Sequence, residues 1–220
     1  MSRGTLHNIC FPGIGEPRRP IDQEEARYWI THDAYLRILD ELATWPNTRL
    51  TFDDGNISDL ERGRPGLLER GLTATFFVLA GRLDEPGSLS RADVAALRAA
   101  DMGIGSHGMD HVGWRGMTAE VRDRELVRAR AVIEQVAGPI DEAALPRGQY
   151  DRDTLGHLRA LGYRTVHTSD RRPARPGAWL QPRFSVTSED TPATLVGRVL
   201  HQPLAERTVR GLKGAVKRLR

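Results

Sequence analysis

Two adjacent carboxylates, Asp53 and Asp54, follow the apolar and β-prone segment 50–52 and precede Gly55. The pattern predicts a strand that ends in a tight turn, because glycine permits backbone conformations that other residues disfavour. Successive side chains on a strand point to opposite faces, so both acids reach one site only where the strand breaks into a loop. Two carboxylates this close raise each other's proton affinity unless a cation lies between them. The alternative for this segment alone is a surface strand end with a capping aspartate.

A histidine pair, His107 and His111, follows a short predicted strand at 102–105. Side chains four residues apart share one face of a helical turn, so both imidazoles can bind one ion. Zinc accepts imidazole nitrogen and carboxylate oxygen, and a catalytic zinc site keeps one position for water. With Asp54 as the third ligand, Asp53 is left to act as a base. Considered alone, the pair is also consistent with surface or capping histidines.

The composition is that of a globular protein with one substantial core. The chain has 220 residues, of which 39% are hydrophobic and 28% are charged. The net charge is +3, but residues 201–220 hold six basic groups and one acidic group, a net of +5, which leaves −2 for the other residues. The composition of residues 1–200 therefore does not favour nucleic-acid binding. A single cysteine, Cys10, excludes an internal disulfide framework and fits a reducing compartment.

Predicted strands and helices alternate about seven times along the chain. The clearest buried strand is 73–79, and the clearest helix begins at Thr118 and ends at Gly138. Such alternation predicts a parallel sheet inside helices, either open or closed into a barrel. In both folds the functional residues lie at the carboxyl ends of the strands, where the acids and the histidines are expected. Because the sequence shows neither the apolar core of a signal peptide nor a membrane span, we expect a cytoplasmic protein.

These residues resemble the motifs of the polysaccharide deacetylase family, the fourth family of carbohydrate esterases. Its first motif, Thr-Phe-Asp-Asp-Gly, is present at 51–55, and its second, Ser/Thr-His with a further His after three residues, is present at 106–111. The third motif, Arg-x-Pro-aromatic-Gly, corresponds to 144–148, where the proline and the glycine match. The resemblance covers residues 6 to about 200. It implies an α/β fold, a distorted and incomplete (β/α) barrel with about seven strands.

The resemblance implies a metal-dependent hydrolase that removes an N-acetyl group from an amino sugar or glycan, in bacterial cell-surface glycan biosynthesis. It makes Asp53 the general base. It makes Asp54, His107 and His111 the ligands of Zn²⁺ or another divalent transition metal such as Co²⁺ or Ni²⁺. The backbone N–H of Arg147 corresponds to the donor that helps to hold the oxyanion.

Two positions depart from the family pattern. The arginine that braces the catalytic aspartate is replaced by Ala144, and the sequence offers Arg147 or Arg171 as a substitute. The late Leu-x-His motif, which supplies the general acid, has no clear match, because His167 and His201 stand in other contexts. The general acid is therefore unassigned.

Three further side chains are candidates for substrate binding: Trp114, Tyr150 and Asp170. Trp114 is close to the second histidine and has an indole that can stack on a sugar; the alternative is a core residue at the barrel rim. Asp170 corresponds to a strand-end acid of the family, or else it forms a turn. Tyr28 and Trp29 are expected to pack against the barrel.

Residues 203–220 are predicted to form a basic amphipathic helix or tail beyond the barrel of residues 1–202. An apolar stripe recurs at helical spacing: Val209, Leu212, Val216 and Leu219. Such a segment can rest on an anionic membrane, and we expect it at the inner face, where the enzyme would meet a lipid-linked sugar. The alternatives are a stripe packed on the barrel and a frayed end.

Other functions remain open at this point. A sugar N-deformylase acting on a lipid-linked substrate would use the same site and release formate instead of acetate. A non-catalytic sugar-binding relative would have lost a ligand or the base, whereas all four residues are present. A nucleic-acid module is supported by the basic tail alone. We therefore expect an N-acetylated sugar as the partner and no nucleic acid.

Overall fold

Seven parallel strands close into a barrel in the computed structural model, which describes residues 4–219. The strands follow one another around the barrel in chain order, and the last pairs with the first. They are β1 (His7–Phe11), β4 (Thr48–Phe52), β5 (Ala74–Val78), β6 (Gly103–Ser106), β7 (Glu142–Ala144), β8 (Thr165–Thr168) and β9 (Leu180–Ser185). A separate two-stranded parallel sheet joins β2 (Gly13–Ile14) and β3 (Trp29–Ile30). The distorted barrel of about seven strands that the sequence predicts is confirmed.

Helices connect most of the barrel strands on the outside. The helices are α1 (Gln23–Ala26), α2 (His32–Leu42), α3 (Arg64–Leu68), α4 (Arg91–Ala99), α5 (Ala119–Arg122), α6 (Ala129–Ala137), α7 (Arg152–Ala160), α8 (Pro192–Val199) and α9 (Leu204–Leu219). Helix α1 lies in the segment between β2 and β3, and α8 and α9 follow the last strand. A π-helical turn, Asp123–Arg128, joins α5 to α6, so the long helix predicted after Thr118 is present. Within residues 4–219, no helix combines the length and the apolar character needed to cross a bilayer. The division of the chain at residue 202 stays a prediction.

Stacked aromatic rings cover the outer face of the barrel at one level, beneath α2. Phe52 is fully buried, and its ring centroid lies 5.4 Å from that of Phe11 and 4.6 Å from that of Phe76. The three residues are register partners on β1, β4 and β5, which explains why their rings meet. Thr51 is hydrogen-bonded to Arg183 inside the barrel, so Phe52, the next residue, points outward, and Phe11 and Phe52 pack against Tyr35 of α2. The strand that carries Asp53 is therefore anchored by the apolar layer between the barrel and α2.

An N-terminal arm, residues 12–30, crosses the carboxyl edge of the barrel. Its two short strands lie so close that a Cβ atom at Gly13 would be 2.5 Å from the ring of Trp29, so only glycine fits there. Helix α1 begins at Asp22, whose side chain accepts a hydrogen bond from the Glu25 N–H. The arm thus adds side chains to the barrel mouth that the barrel strands do not supply.

The aromatic layer generates a stability prediction. We expect Phe52→Ala to lower the free energy of unfolding by about 3–5 kcal/mol, because a buried phenylalanine leaves a cavity that its neighbours fill only in part. Leu68→Ala is the control, since that side chain is 50% exposed and its loss changes the stability by about 0.5 kcal/mol or less. Urea denaturation measures both. A loss below about 1 kcal/mol for Phe52→Ala would contradict tight packing of this aromatic layer.

Candidate metal and catalytic site

The turn after β4 holds both acids inside the barrel mouth. Asp54 has a φ of +73° and Gly55 a φ of +68°, so the backbone is left-handed immediately after the strand ends. Aspartate and glycine tolerate this conformation better than most residues. Asp53 is 9% exposed and Asp54 is 5% exposed, so both carboxylates lie almost out of contact with water. Burial of this kind makes ionisation costly unless each carboxylate has a positive partner.

Three ligand atoms converge at this turn. The Oδ1 atom of Asp54 lies 3.4 Å from Nε2 of His107 and 3.3 Å from Nε2 of His111. All three atoms lie within 4.8 Å of one another. Within the described part of the chain, Oδ1 of Asp54 is buried and accepts no hydrogen bond. A buried carboxylate oxygen without a partner is costly, and a cation bound between these three atoms would remove that cost.

The two histidines meet through a loop rather than a helical turn, so the helical geometry expected from their spacing is wrong. Gly108 has a φ of +89° and His111 a φ of +58°, which no α-helix contains. The Nδ1–H of His107 donates to the carbonyl oxygen of Ala144 at 2.9 Å, because a carbonyl oxygen can only accept. This bond directs Nε2 of His107 toward Asp54. In metal sites, a histidine is usually positioned by a hydrogen bond from the ring nitrogen that does not bind the metal.

Glu125, 1% exposed, holds the loop between the histidines. Its carboxylate accepts from the backbone N–H groups of Met109 at 2.9 Å and Asp110 at 3.1 Å. It also accepts from the indole N–H of Trp114 at 3.3 Å. One buried carboxylate therefore fixes the left-handed loop that carries His111.

The protonation state of the imidazoles suits metal binding. Burial lowers the pKa of His107, although Asp53 and Asp54 oppose the shift. Burial, together with the charges of Arg82 and Arg147, lowers the pKa of His111 to about 4. Both rings are therefore neutral at pH 7, and neutral imidazole is the form that coordinates a metal ion.

Arg183 is the partner of Asp53. Its guanidinium donates to both carboxylate oxygens of Asp53 at 2.7 Å each, and to the Thr51 hydroxyl at 3.0 Å. Arg183 lies on β9 and is 1% exposed. Burial alone would raise the pKa of Asp53, but Arg183 and then His107 outweigh it and hold that pKa well below its ordinary value. Asp53 is thus a carboxylate at every pH near neutrality.

The expectation that Arg147 or Arg171 replaces the arginine absent at Ala144 is therefore wrong. Arg147 and Arg171 lie at the rim of the pocket, and the Nε–H of Arg147 donates to the carbonyl oxygen of His111 at 3.3 Å. The signal for Arg183 is present in the sequence, because a charged residue inside the strand Leu180–Ser185 has no ordinary place in a barrel interior. Its partner cannot be read from the sequence, since 130 positions separate Arg183 from Asp53.

The acids and histidines open into a pocket of about 410 Å³. The arm contributes Glu25, Arg27 and Tyr28 to its walls. Tyr28 was expected to pack against the barrel and instead lines the pocket, whereas Trp29 packs as expected and is 9% exposed. The sequence pattern missed Tyr28 because the arm's path over the barrel mouth is set by tertiary contacts.

The three side chains predicted to bind substrate do not line this pocket, and those predictions are corrected. Trp114 is fully buried against Glu125, so its indole is closed to a sugar. Tyr150 is 1% exposed, and its hydroxyl donates to Asp170 at 2.9 Å. Asp170 accepts from three donors, the hydroxyls of Tyr150 and Thr168 and the ammonium of Lys217. These residues brace the rim from behind instead of facing the pocket.

Neither late histidine reaches the pocket. His167 is 1% exposed, its Nε2 lies 2.7 Å from Glu142, and it faces the opposite mouth of the barrel beside Thr48. His201 is exposed after α8. The general acid therefore remains unassigned among the histidines of the described chain.

The geometry predicts a single metal site. We expect the purified protein to hold about one zinc, or a similar transition metal, per chain, because the site offers three ligands. His107→Ala and His111→Ala should each reduce the occupancy, as measured by elemental analysis, because each variant removes one of the three ligands. His157→Ala is the matched control, because this side chain is half-buried on α7 and is not among the residues that line this pocket. Unchanged occupancy in both ligand variants would rule out this set of ligands.

This chain is similar in sequence to a known protein and in structure to solved barrels. YxkH of Bacillus subtilis (strain 168) is 24% identical over 130 residues, which are 59% of this chain and 45% of YxkH. The chain thus spans less than half the length of that relative. Deacetylase PplD of Streptococcus pyogenes has a TM-score of 0.75 at 17% identity, with 90% of this chain and 99% of PplD covered. IcaB from Ammonifex degensii has a TM-score of 0.71 at 22% identity, with 90% and 97% covered.

At these identities the two solved structures establish a shared fold. The family model described as polysaccharide deacetylase matches residues 46–166, a segment that contains Asp53, Asp54, His107 and His111. Because the match spans more than half of the 220 residues, the chain belongs to the polysaccharide deacetylase family.

Proposed function

We propose that this protein is a metal-dependent N-deacetylase that hydrolyses the acetamide of an amino sugar or glycan. One observation carries the proposal: the buried, unpartnered Oδ1 of Asp54 faces the Nε2 atoms of His107 and His111 at 3.4 and 3.3 Å, next to a second carboxylate. Membership of the family supports the reaction class. PplD, which shares the fold, is a deacetylase whose structure was determined in complex with acetate, the product that such a reaction releases.

Asp54, His107 and His111 would hold the ion, for which we favour Zn²⁺ because it accepts both imidazole and carboxylate ligands. A divalent ion, when bound, lowers the pKa of water and polarises a carbonyl group. The protein's own part is to keep both imidazoles neutral and directed inward. The carbonyl of Ala144 does this for His107, and Glu125 does it for the loop that carries His111.

Asp53 is the base in this proposal. It accepts the proton of the attacking water while the water oxygen forms a bond to the amide carbon. Its low pKa makes it a weak base, so it serves only a water molecule that has been acidified, which is consistent with a cation site beside it. The backbone N–H of Arg147 is assigned as the donor to the carbonyl oxygen, which gains negative charge.

Asp53 also returns the proton. The amide C–N bond then breaks as the nitrogen takes the proton from Asp53, which gives acetic acid and a free amine. At neutral pH the proton of the acid passes to the amine, so that acetate and an ammonium group are released. A carboxyl group whose pKa is held low gives up a proton readily, and neither His167 nor His201 lies at the pocket. We infer that the ion pair with Arg183 suits Asp53 to this second step.

Tyr28 is the aromatic side chain best placed to contact a sugar, because it lines the pocket mouth. It takes the role that the sequence suggested for Trp114 and Tyr150. A glycan precursor of the bacterial cell surface is the substrate class we favour, on family grounds. The cytoplasmic location stays a prediction.

Acetate release from a panel of nucleotide-linked, lipid-linked and polymeric N-acetyl sugars tests the proposal. Acetate from at least one of them is the expected result. Release of formate from N-formyl sugars, with no acetate from any N-acetyl sugar, would replace the deacetylase by a deformylase. No release from either set by metal-loaded protein would contradict a catalytic role.

Replacement of the base separates catalysis from metal binding. We expect Asp53→Asn to lower kcat by about 10²- to 10⁴-fold, the usual contribution of a general base, with the metal still bound. The amide keeps the shape of the side chain but cannot accept the proton. Asp141→Asn, at an exposed aspartate, is the control. A variant within a few-fold of the parental kcat would remove Asp53 from this role.

Replacement of Arg183 tests whether it positions Asp53. We expect Arg183→Gln to lower kcat by about 10²-fold with little change in KM, since a small displacement of a catalytic group has this effect. Arg183→Lys should recover part of the rate, because it keeps the charge but not the two-point contact. Arg164→Gln is the exposed control.

The rates of the Arg183 variants are compared well below their melting temperatures, because removal of one partner of a buried ion pair costs about 3–5 kcal/mol of stability. Two results would contradict a positioning role: a fall in rate that is fully explained by the unfolded fraction, or equal rates for Arg183→Lys and Arg183→Gln.

A further inference from the structure

Helix α9 turns its apolar side away from the barrel. Five of the ten exposed large hydrophobic side chains among residues 4–219 belong to this helix. We call these five the α9 stripe, and their exposed fractions are Leu204 77%, Val209 50%, Leu212 62%, Val216 48% and Leu219 79%. A surface helix of a globular protein usually buries its apolar side, so this arrangement is the reverse of the ordinary one.

The side of α9 that meets the barrel is small and charged. Gly214 is the buried residue of the helix, and a Cβ atom there would lie 3.4 Å from a carboxylate oxygen of Asp170. The ammonium of Lys217 donates to Asp170 and to the carbonyl oxygen of Gly148, both at 3.0 Å. Asp170 has a side chain only 4% exposed, so loss of Lys217 would leave a buried charge unpaired.

These contacts fix the rotation of the helix. Turning the α9 stripe inward would break both bonds of Lys217 and place leucine and valine where the barrel accepts glycine. The alternative that the stripe packs on the barrel, considered from the sequence, is therefore wrong. The stripe stays outward and needs another surface to cover it.

The positive charge of α9 favours a negatively charged surface as the partner that covers the α9 stripe. Within residues 204–219, α9 has five basic side chains and one acidic one, a net charge of +4. Lys213 is exposed and, at about 100° per residue, lies beside Val209 and Val216 of the stripe. A second copy of the chain packed on the stripe would bring two such helices together and repel. Anionic lipid, in contrast, offers both an apolar layer and negative headgroups.

We propose that α9 docks this protein on an anionic lipid bilayer, with the α9 stripe among the acyl chains at the headgroup boundary and with Lys213 at the phosphates. The helix has 16 residues and is about 24 Å long at about 1.5 Å per residue, so it lies along the surface. Because Lys217 also holds Gly148, next to Arg147, the docked helix lies beside the pocket rim. In this position a lipid-linked sugar in the bilayer would reach the site. Only this consequence rests on the proposed function.

Co-sedimentation with vesicles tests the docking without any assay of activity. Vesicles of phosphatidylcholine with about 30% phosphatidylglycerol should pellet the protein at about 0.05 M NaCl and release most of it at about 0.5 M, where charges are screened within a few ångströms. Pure phosphatidylcholine vesicles should pellet at least about tenfold less, because about 1 kcal/mol per basic side chain is lost.

Two double variants distinguish binding through the α9 stripe from nonspecific adsorption to the vesicles. Leu212→Glu with Val216→Glu should abolish pelleting, whereas Leu68→Glu with Val127→Glu, at exposed positions on other helices, should leave it unchanged. Circular dichroism checks that both double variants are folded, which we expect because all four positions are exposed. Lys213→Glu should reduce the salt-sensitive part of the binding.

Equal pelleting of the stripe and control variants would overturn the proposal. So would a dimer in sedimentation velocity that the stripe variant alone converts to monomer, with vesicle binding unchanged, since a second copy would then cover the stripe.

Discussion

Two adjacent carboxylates buried at one strand end each need a positive partner, and the site depends on how that need is met. Asp53 has the guanidinium of Arg183 on both oxygens. Asp54 has no such partner: Arg19 lies 3.6 Å from its Oδ2, and its Oδ1 accepts no hydrogen bond from the described residues. Burial raises the pKa of Asp54, with His107 opposing and Asp53 adding to the shift. A cation between Asp54 and the two imidazoles would restore the balance, which is why we infer a metal site.

The closed barrel explains how an arginine from another strand can brace Asp53. In the family pattern this arginine belongs to the strand that here is β7, whereas Arg183 belongs to β9. In the ring of strands, β1 alone lies between β9 and β4, so side chains pointing inward from β9 reach the end of β4. The thiol of Cys10, on β1, lies beneath this pair, and burial raises its pKa, so it remains a neutral filler. The ion pair that the family pattern places at position 144 is thus made in this chain by Arg183.

Local patterns predicted the alternating parallel fold and the residues that meet at the candidate metal site, because strand ends, turn glycines and short motifs are encoded within a few residues. The closed barrel was predicted by the family resemblance. Contacts across the barrel were not predictable in this way, which is why Arg183 and Tyr28 were missed. Trp114 and Tyr150 have side chains suited to sugars, but Glu125 and Asp170 bind them behind the rim. Periodicity predicted the apolar stripe of α9, whereas its outward direction follows from the contacts of Lys217 and Gly214 with the barrel. Residue type thus predicts chemistry, and tertiary packing decides which residue performs it.

The charge arrangement at Asp53 and Asp54 is tested most directly by a crystal structure of the zinc-loaded protein, with anomalous scattering measured at the zinc edge. We expect one ion at about 2.0–2.2 Å from Asp54, His107 and His111, the usual range for zinc with nitrogen and oxygen ligands. Both oxygens of Asp53 should remain on Arg183, outside the ligand set. An ion coordinated by Asp53, or an Arg183 turned away from it, would contradict the division of roles between the two acids.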